Sequence, residues 1–192
     1  MNTPIKTQKK EIRKRMLQQR DLMSMTTKTL YDRYVCKTLW QLMEQRGCQT
    51  VHTYLPMGSE IDIFPFIERC LAHKKTVISP QSLPKRSFKN LVLTSLQDLE
   101  PGIFGTVHPA GERVFEGTYD LVVVPGLACD GNRYRLGYGA GYYDTFLANL
   151  NTSFKIGLFY PFQKMDQLPK EPHDVQLDEV LCDITFGDDA GK

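Results

Sequence analysis

The chain has 192 residues, of which 41% are hydrophobic and 24% charged, values typical of a globular domain with its own core. The net charge of +2 at pH 7 is too small to indicate a general affinity for nucleic acid. No apolar run approaches the roughly 18 residues of a membrane span, and the basic N-terminus lacks the apolar region of a secretory signal.

A basic amphipathic helix is predicted over about residues 8–23. Its apolar stripe is formed by Ile12, Met16 and Met23. At 100° per residue, three cations fall immediately beside that stripe: Lys9, Arg13 and Arg20. A helix docked by this stripe would therefore aim the three cations along its seam with the rest of the protein.

A second helix is predicted from a cap at Thr26 or Thr27 to Arg46, where Gly47 ends it. The elements that follow are a strand at 50–55, a helix at 63–72, a strand at 76–79, a loop at 80–89, a strand at 90–94 and an irregular stretch at 101–117.

Residues 120–125 form a continuous apolar run that is typical of a central strand buried on both faces. The elements after it are a helix at about 141–150 and strands at 154–160 and 180–185. Strands that alternate with helices predict an α/β fold with a mostly parallel central sheet flanked by helices. We expect one domain over residues 1–192, with an open three-layer architecture.

A glycine-rich segment follows the buried strand, at the place where open α/β sheets bind ligands. Arg135 precedes three glycines at alternate positions, Gly137, Gly139 and Gly141. Glycines let backbone N–H groups approach an anion, the next helix offers its N-terminus to phosphate, and an arginine adds charged hydrogen bonds. The pattern is neither a Walker A loop nor a dinucleotide fingerprint. By themselves, the three glycines fit a tight turn equally well.

The full segment, R-L-G-x-G-x-G-Y-Y-D, resembles the signature of the 5-formyltetrahydrofolate cyclo-ligase family, also called methenyltetrahydrofolate synthetases. Three further segments agree in order and spacing. Lys9 and Arg13 match a K-x-x-x-R pattern, residues 54–60 match Y-L-x-x-x-x-E, and residues 171–178 are similar to E-H-D-x-x-x-D. The resemblance covers residues 9–180 and is weakest between residues 80 and 116.

The resemblance implies that the protein uses ATP and Mg²⁺. The residues it implies for ATP binding are Lys9, Arg13, Arg135, Leu136, Gly137, Tyr138, Gly139, Ala140, Gly141, Tyr142 and Tyr143. Those it implies for folate contact are Leu55, Glu60, Tyr138, Gly139, Ala140, Gly141 and Tyr142. Asp144 and Asp174 match the magnesium ligands, and Arg135 is the implied catalytic cation. Two carboxylates suit Mg²⁺ bound to ATP, since phosphates and water fill its other positions.

The implied reaction converts 5-formyltetrahydrofolate into 5,10-methenyltetrahydrofolate with ADP and phosphate. The formyl oxygen attacks the γ-phosphate, N10 adds to the activated carbon, and phosphate leaves. Phosphoryl transfer needs positioning and charge stabilisation rather than a protein nucleophile. This agrees with a sequence that offers cations, a glycine loop and carboxylates. We expect His173 to be structural rather than a base.

The sequence departs from the family pattern at three places. Where the family has D-x-x-G-x-R ahead of the glycine loop, Asp130 is followed at once by Gly131, so that the glycine has shifted. His108 stands where an acid is common, and Gln81 where many relatives have a basic residue. The last two positions belong to the folate side of the expected site.

Two alternatives remain open from the residues alone. An α/β domain that binds a sugar phosphate or coenzyme A would have a similar sheet, but it would leave the Lys9 and Arg13 helix and Asp174 unexplained. A nucleic-acid-binding module could use the basic first helix, although no known nucleic-acid motif is present.

The five cysteines are odd in number and have no C-x-x-C spacing, which argues against a disulfide framework and a thiolate zinc site. We therefore expect a cytoplasmic, monomeric enzyme that has a small-molecule substrate and neither a nucleic-acid nor a membrane partner.

Overall fold

The computed structural model describes residues 4–183. Its helices are α1 (Ile5–Asp21), α2 (Met25–Gln45), α3 (Phe64–Ala72) and α4 (Tyr142–Leu147). Its strands are β1 (Thr50–Thr53), β2 (Thr76–Leu83), β3 (Ser87–Leu93), β4 (Leu99–Pro101), β5 (Val107–Pro109), β6 (Leu121–Val124), β7 (Ala128–Asp130), β8 (Arg135–Leu136), β9 (Phe154–Leu158), β10 (Lys164–Met165) and β11 (Glu179–Leu181).

Six strands form the central sheet in the order β11-β9-β6-β1-β2-β3. Only the β2–β3 pair of this sheet is antiparallel. All four residues of β6 are buried, as the apolar run predicts for a central strand. Leu121 and Val123 pack in one cluster with α2 and α3, whereas Val122 and Val124 pack in another with α4. Helices thus cover both faces of the sheet, which confirms the predicted α/β architecture.

The basic helix α1 packs outside these layers, against a small sheet of β10, β7 and β8 that the sequence did not predict. Met16 contacts Leu127, Ala128 and Leu136 in this cluster. Lys9 and Arg20 are buried beside Met16, as the spacing predicts. The helix begins three residues earlier than expected and ends at Asp21.

The second helix begins before the predicted cap. Ser24, rather than Thr26 or Thr27, is the N-cap residue, and its side chain accepts a hydrogen bond from the Thr27 N–H at 3.1 Å. The threonines fall inside the first turn, because one serine hydroxyl already satisfies a free N–H group there.

The predicted loop at 80–89 is wrong, since β2 continues to Leu83 and pairs with β3 as a hairpin. Pro80 lies within β2 opposite Asn90. Its missing N–H is tolerated because β1 pairs with β2 only as far as Ile78, so that Pro80 has β3 alone as a neighbour.

Other elements are shorter than predicted. Helix α4 has six residues instead of ten, and β9 ends at Leu158. The irregular stretch at 101–117 contains the end of β4 and all of β5, which pair as a two-stranded sheet. The last strand ends at Leu181, and residues 184–185 of its predicted range lie outside the described residues. The prediction of one domain over residues 1–192 also extends beyond them. Within residues 4–183, no helix is both long and apolar enough to cross a membrane.

Candidate active site

A pocket of about 420 Å³ lies at the carboxyl ends of β1, β2 and β6. Leu55 and Pro125 line it from just beyond β1 and β6, and Ser79 and Ser82 line it from within β2. The pocket wall includes every residue that the sequence predicts for binding or catalysis: Lys9, Arg13, Leu55, Glu60, Asp174 and the run from Arg135 to Asp144. Residues from distant parts of the chain therefore meet in one place.

Two cations of α1 line the pocket, and each is held there by contacts with another segment of the chain. Lys9 Nζ contacts Glu171 Oε2 at 3.0 Å and Asp174 Oδ2 at 2.7 Å. Arg13 Nε donates to the Gly137 carbonyl at 2.8 Å. Lysine has three N–H donors and arginine has five, so both side chains retain donors for an anion in the pocket.

The glycine loop needs its glycines for conformation and for space. Gly139 and Gly141 have φ values of +107° and +77°, which strain any residue with a Cβ atom. A Cβ atom on Gly139 would also lie only 3.0 Å from Arg13 Cζ. The loop thus brings its backbone close to a cation. The short α4 begins directly after Gly141.

Arg135 is only 7% exposed, although its guanidinium is charged. Nη2 contacts Asp144 Oδ1 at 3.0 Å, and Nη1 donates to the Val175 carbonyl at 3.1 Å. Burial lowers the pKa of Arg135, and the charge of Asp144 opposes this effect.

Three buried donors in the pocket wall have no hydrogen-bond partner among residues 4–183: the Ser79 hydroxyl, Arg135 Nε and the Tyr143 hydroxyl. Burial raises the pKa of Tyr143, so its hydroxyl keeps its proton at neutral pH. Unsatisfied buried donors cost free energy. A phosphate oxygen would satisfy such donors, and the residues present therefore fit a nucleotide phosphate.

Carboxylates surround the same end of the pocket. Asp144 Oδ1 accepts from the Val175 N–H at 3.2 Å, and Asp174 Oδ2 accepts from the Glu171 N–H at 2.7 Å. Potential metal ligands of Glu171, His173 and Asp174 lie within 4.8 Å of one another. Oxygen ligands suit Mg²⁺, so the donor set fits this ion. Asp174 belongs to that cluster, whereas the nearest charged partner of Asp144 is Arg135.

Glu60 lies at a different part of the wall and is 6% exposed. Its Oε1 accepts from the Tyr138 hydroxyl at 2.8 Å, and its Oε2 accepts from the Met57 N–H at 3.0 Å. Burial raises the pKa of Glu60, while these two hydrogen bonds lower it. Leu55 adds an apolar surface nearby. A carboxylate held in this way can accept a pair of N–H donors from a flat heterocycle.

An aromatic wall was missed by sequence reasoning. Phe88 stacks on Tyr142 with 5.4 Å between ring centroids, and Phe104 meets Tyr142 edge-on at 6.3 Å. Phe104 is 72% exposed and has a φ of +59°, unusual for a large side chain. A phenylalanine inside a glycine-rich irregular stretch was the available signal. Phe88 gave no such signal, because residues 80–89 were predicted as a loop and not as part of a strand that lines the pocket.

The turn before the glycine loop is built on Asp130, which is fully buried. Its Oδ1 accepts from the N–H groups of Asn132 and Tyr134, and its Oδ2 accepts from the Leu168 N–H. Arg133 has a φ of +64°, at the position where the family pattern has glycine. The turn therefore keeps the backbone that a glycine would favour, without the glycine.

Comparisons with known proteins identify the family of this chain. A sequence model of the 5-formyltetrahydrofolate cyclo-ligase family matches residues 5–183. The 5-formyltetrahydrofolate cyclo-ligase of Mycoplasma pneumoniae is 28% identical over 182 residues, which cover 91% of this chain and 98% of the relative. That of Haemophilus influenzae is 32% identical and covers 73% of this chain and 79% of the relative.

Solved structures show the same likeness. The 5,10-methenyltetrahydrofolate synthetase of Aquifex aeolicus superposes with a TM-score of 0.78 at 30% identity, covering 90% of this chain and 88% of that one. The synthetase of Mycoplasma pneumoniae superposes with a TM-score of 0.72 at 27% identity, covering 90% and 96%. The chain therefore belongs to the 5-formyltetrahydrofolate cyclo-ligase family.

Proposed function

We propose that this chain carries out the reaction of its family, the conversion of 5-formyltetrahydrofolate to 5,10-methenyltetrahydrofolate, and that it uses ATP and Mg²⁺. One observation carries the proposal. Lys9, Arg13 and Arg135 all lie near Asp174. The pocket that these cations line is also lined by the carboxylate of Glu60. A phosphate-binding end and a heterocycle-binding end in one pocket are what this reaction requires.

At the phosphate end, the protein supplies positive charge and backbone N–H groups. Lys9, Arg13 and Arg135 bind and orient the triphosphate, and the loop from Gly137 to Gly141 lets it approach the backbone. ATP supplies the phosphoryl group that turns the formyl oxygen into a leaving group. The unpartnered Arg135 Nε and Tyr143 hydroxyl are the donors that we assign to the transferred phosphate.

Asp144 and Asp174 would hold magnesium at this end, where it neutralises phosphate charge. Their present contacts with Arg135 and Lys9 orient both carboxylates. His173 is 67% exposed at its side chain, which supports a structural place beside this cluster rather than a role as base.

At the other end, the Glu60 carboxylate would accept hydrogen bonds from the 2-amino group and a ring N–H of the pterin. Leu55 supplies apolar contact, and the loop residues from Tyr138 to Tyr142 touch both substrates. The protein orients the formyl oxygen towards the phosphate, and proximity lowers the barrier without a covalent protein intermediate.

The test is to mix the purified protein with 5-formyltetrahydrofolate, ATP and Mg²⁺ and to follow the near-ultraviolet absorbance of the methenyl product. We expect a rise that needs all three components. A folded protein that binds ATP but gives no rise would contradict the proposal.

Asp144→Asn tests the metal ligand. We expect it to raise the Mg²⁺ concentration needed for half-maximal rate by roughly tenfold or more, since a charged oxygen ligand is lost. Asp98→Asn, on an exposed residue that does not line the pocket, is the matched control and should behave as the parent. Equal magnesium dependence in both variants would remove Asp144 from the site.

The proposal extends to a monomeric enzyme in the cytoplasm without a nucleic-acid partner. The five cysteine thiols are free, which supports a reducing compartment. Lys9 and Arg20 of the basic helix are buried against the protein, so they are turned away from any phosphate backbone outside it. Light scattering would test the monomer.

A further inference from the structure

Arg20 lies in the last turn of α1 and is only 4% exposed. Its Nε donates to the Ser59 carbonyl at 2.9 Å, and its Nη1 donates to the Tyr138 hydroxyl oxygen at 3.0 Å. A buried cation is costly unless its donors are satisfied. These two contacts, from segments 39 and 118 residues away, therefore fix the guanidinium in place.

The Tyr138 hydroxyl continues the chain of hydrogen bonds. It accepts from Arg20 and donates its own proton to Glu60 Oε1 at 2.8 Å. Because the Arg20 donor occupies an acceptor site of the oxygen, the hydroxyl proton is directed to the carboxylate. Arg20 thus orients the donor that holds Glu60.

Arg20 also holds the segment that carries Glu60. Ser59 precedes Glu60 in the chain, and the Met57 N–H binds the other carboxylate oxygen. Asp21, next to Arg20 on α1, accepts from the Ser59 hydroxyl at 2.9 Å. The end of α1 therefore binds the segment around Ser59 through both the main-chain carbonyl and the side-chain hydroxyl of that residue.

The positive charge of Arg20 also favours the ionised form of the Glu60 carboxylate. Burial raises the pKa of Glu60, and the nearby positive charge of Arg20 opposes that rise. An ionised carboxylate is the form that accepts two hydrogen bonds from a donor edge.

We propose that Arg20 is a positioning residue, which holds Tyr138 and Ser59 so that the Glu60 carboxylate is presented to the pterin. The same helix carries Lys9 and Arg13 at the phosphate end, so α1 sets the distance between the two substrate ends. This role rests on the proposed function, in which the pterin binds Glu60.

Arg20→Lys is the first test, because lysine keeps the charge but lacks the fork that reaches both partners. We expect the KM for 5-formyltetrahydrofolate to rise roughly tenfold, with a similar loss in calorimetric affinity in the presence of a non-hydrolysable ATP analogue. The KM for ATP should stay within about twofold. Arg15→Lys, on an exposed arginine of α1, is the matched control and should change neither value.

Tyr138→Phe tests the other end of the contact and does not depend on how Arg20→Lys folds. It should weaken folate binding. Because both residues act through one hydrogen bond, the variant that combines Arg20→Lys with Tyr138→Phe should bind folate as tightly as whichever single variant binds it less tightly. Losses that multiply, or equal rises in both KM values, would overturn the proposal.

Glu60→Gln separates this role from the proposed function. If Glu60→Gln weakens folate binding while Arg20→Lys binds folate as the parent does, the role of Arg20 is overturned and the placement of the pterin at Glu60 stands. If Glu60→Gln binds folate normally, the placement of the pterin is wrong, and the proposal for Arg20 falls with it.

Discussion

The side-chain amide of Gln81 donates to Nε2 of the buried His108 across 3.0 Å. His108 Nδ1 is 3.0 Å from the Pro109 carbonyl, to which it donates, so that Nε2 is left as the acceptor. These residues are the two departures from the family pattern on the folate side. Many relatives have a basic residue and an acid at these positions, and here an amide and an imidazole meet instead.

We expect His108→Glu to destabilise the protein by about 1–3 kcal/mol, since it buries a carboxylate without a cation. Adding Gln81→Arg should recover most of that loss by restoring a charge-assisted pair. The measurement is the free energy of unfolding in urea for both single variants and the double variant. Strictly additive effects would show that the two positions are independent.

Arg133→Gly should stabilise the protein by about 0.5–1 kcal/mol, because Arg133 holds a left-handed backbone that glycine adopts freely. Thermal unfolding measures the effect. Arg133→Ala is the control, since it removes the exposed charge but keeps the strained backbone. An equal gain from alanine would mean that charge rather than backbone strain is responsible.

Gly139→Ala should lower stability by about 1–3 kcal/mol and weaken ATP binding, because its Cβ atom would both strain the backbone and press on Arg13. At Gly137, a Cβ atom would have nothing within 4 Å, and φ is outside the strained region. Gly137→Ala should therefore leave the free energy of unfolding close to that of the parent. Comparable losses from both variants would contradict this account of the loop.

His52 should make the protein sensitive to acid. The ring is fully buried against Phe146, its Nε2 donates to Asn90 Oδ1, and burial lowers its pKa to about 4 from 6.5. Between these values the unfolded chain binds a proton that the folded protein does not, so stability falls as pH falls. The full drop is about 3 kcal/mol, taking 1.36 kcal/mol per pKa unit.

The measurement is the free energy of unfolding from pH 7 to pH 4 for the parent and for His52→Phe. Other groups contribute equally to both curves, so their difference isolates His52. We expect the parent to lose more stability than the variant over this range. Parallel curves would contradict the assignment.

Local sequence determined the features that depend on neighbours along the chain. The apolar run at 120–125 forms a central strand because alternate residues face apolar layers on both sides. The spacing on α1 placed Lys9 and Arg20 at the seam because a helix fixes which residues share a face. The family pattern then named the residues that line the pocket.

Tertiary structure decided the rest, because those features join residues far apart in sequence. The β2–β3 hairpin tolerates Pro80 only because β1 stops short of it. The pairing of Gln81 with His108 spans 27 positions, and the contact of Arg20 with Tyr138 spans 118. Side-chain spacing shows which face of one element a residue occupies. Only the packing of elements against each other determines what that residue meets.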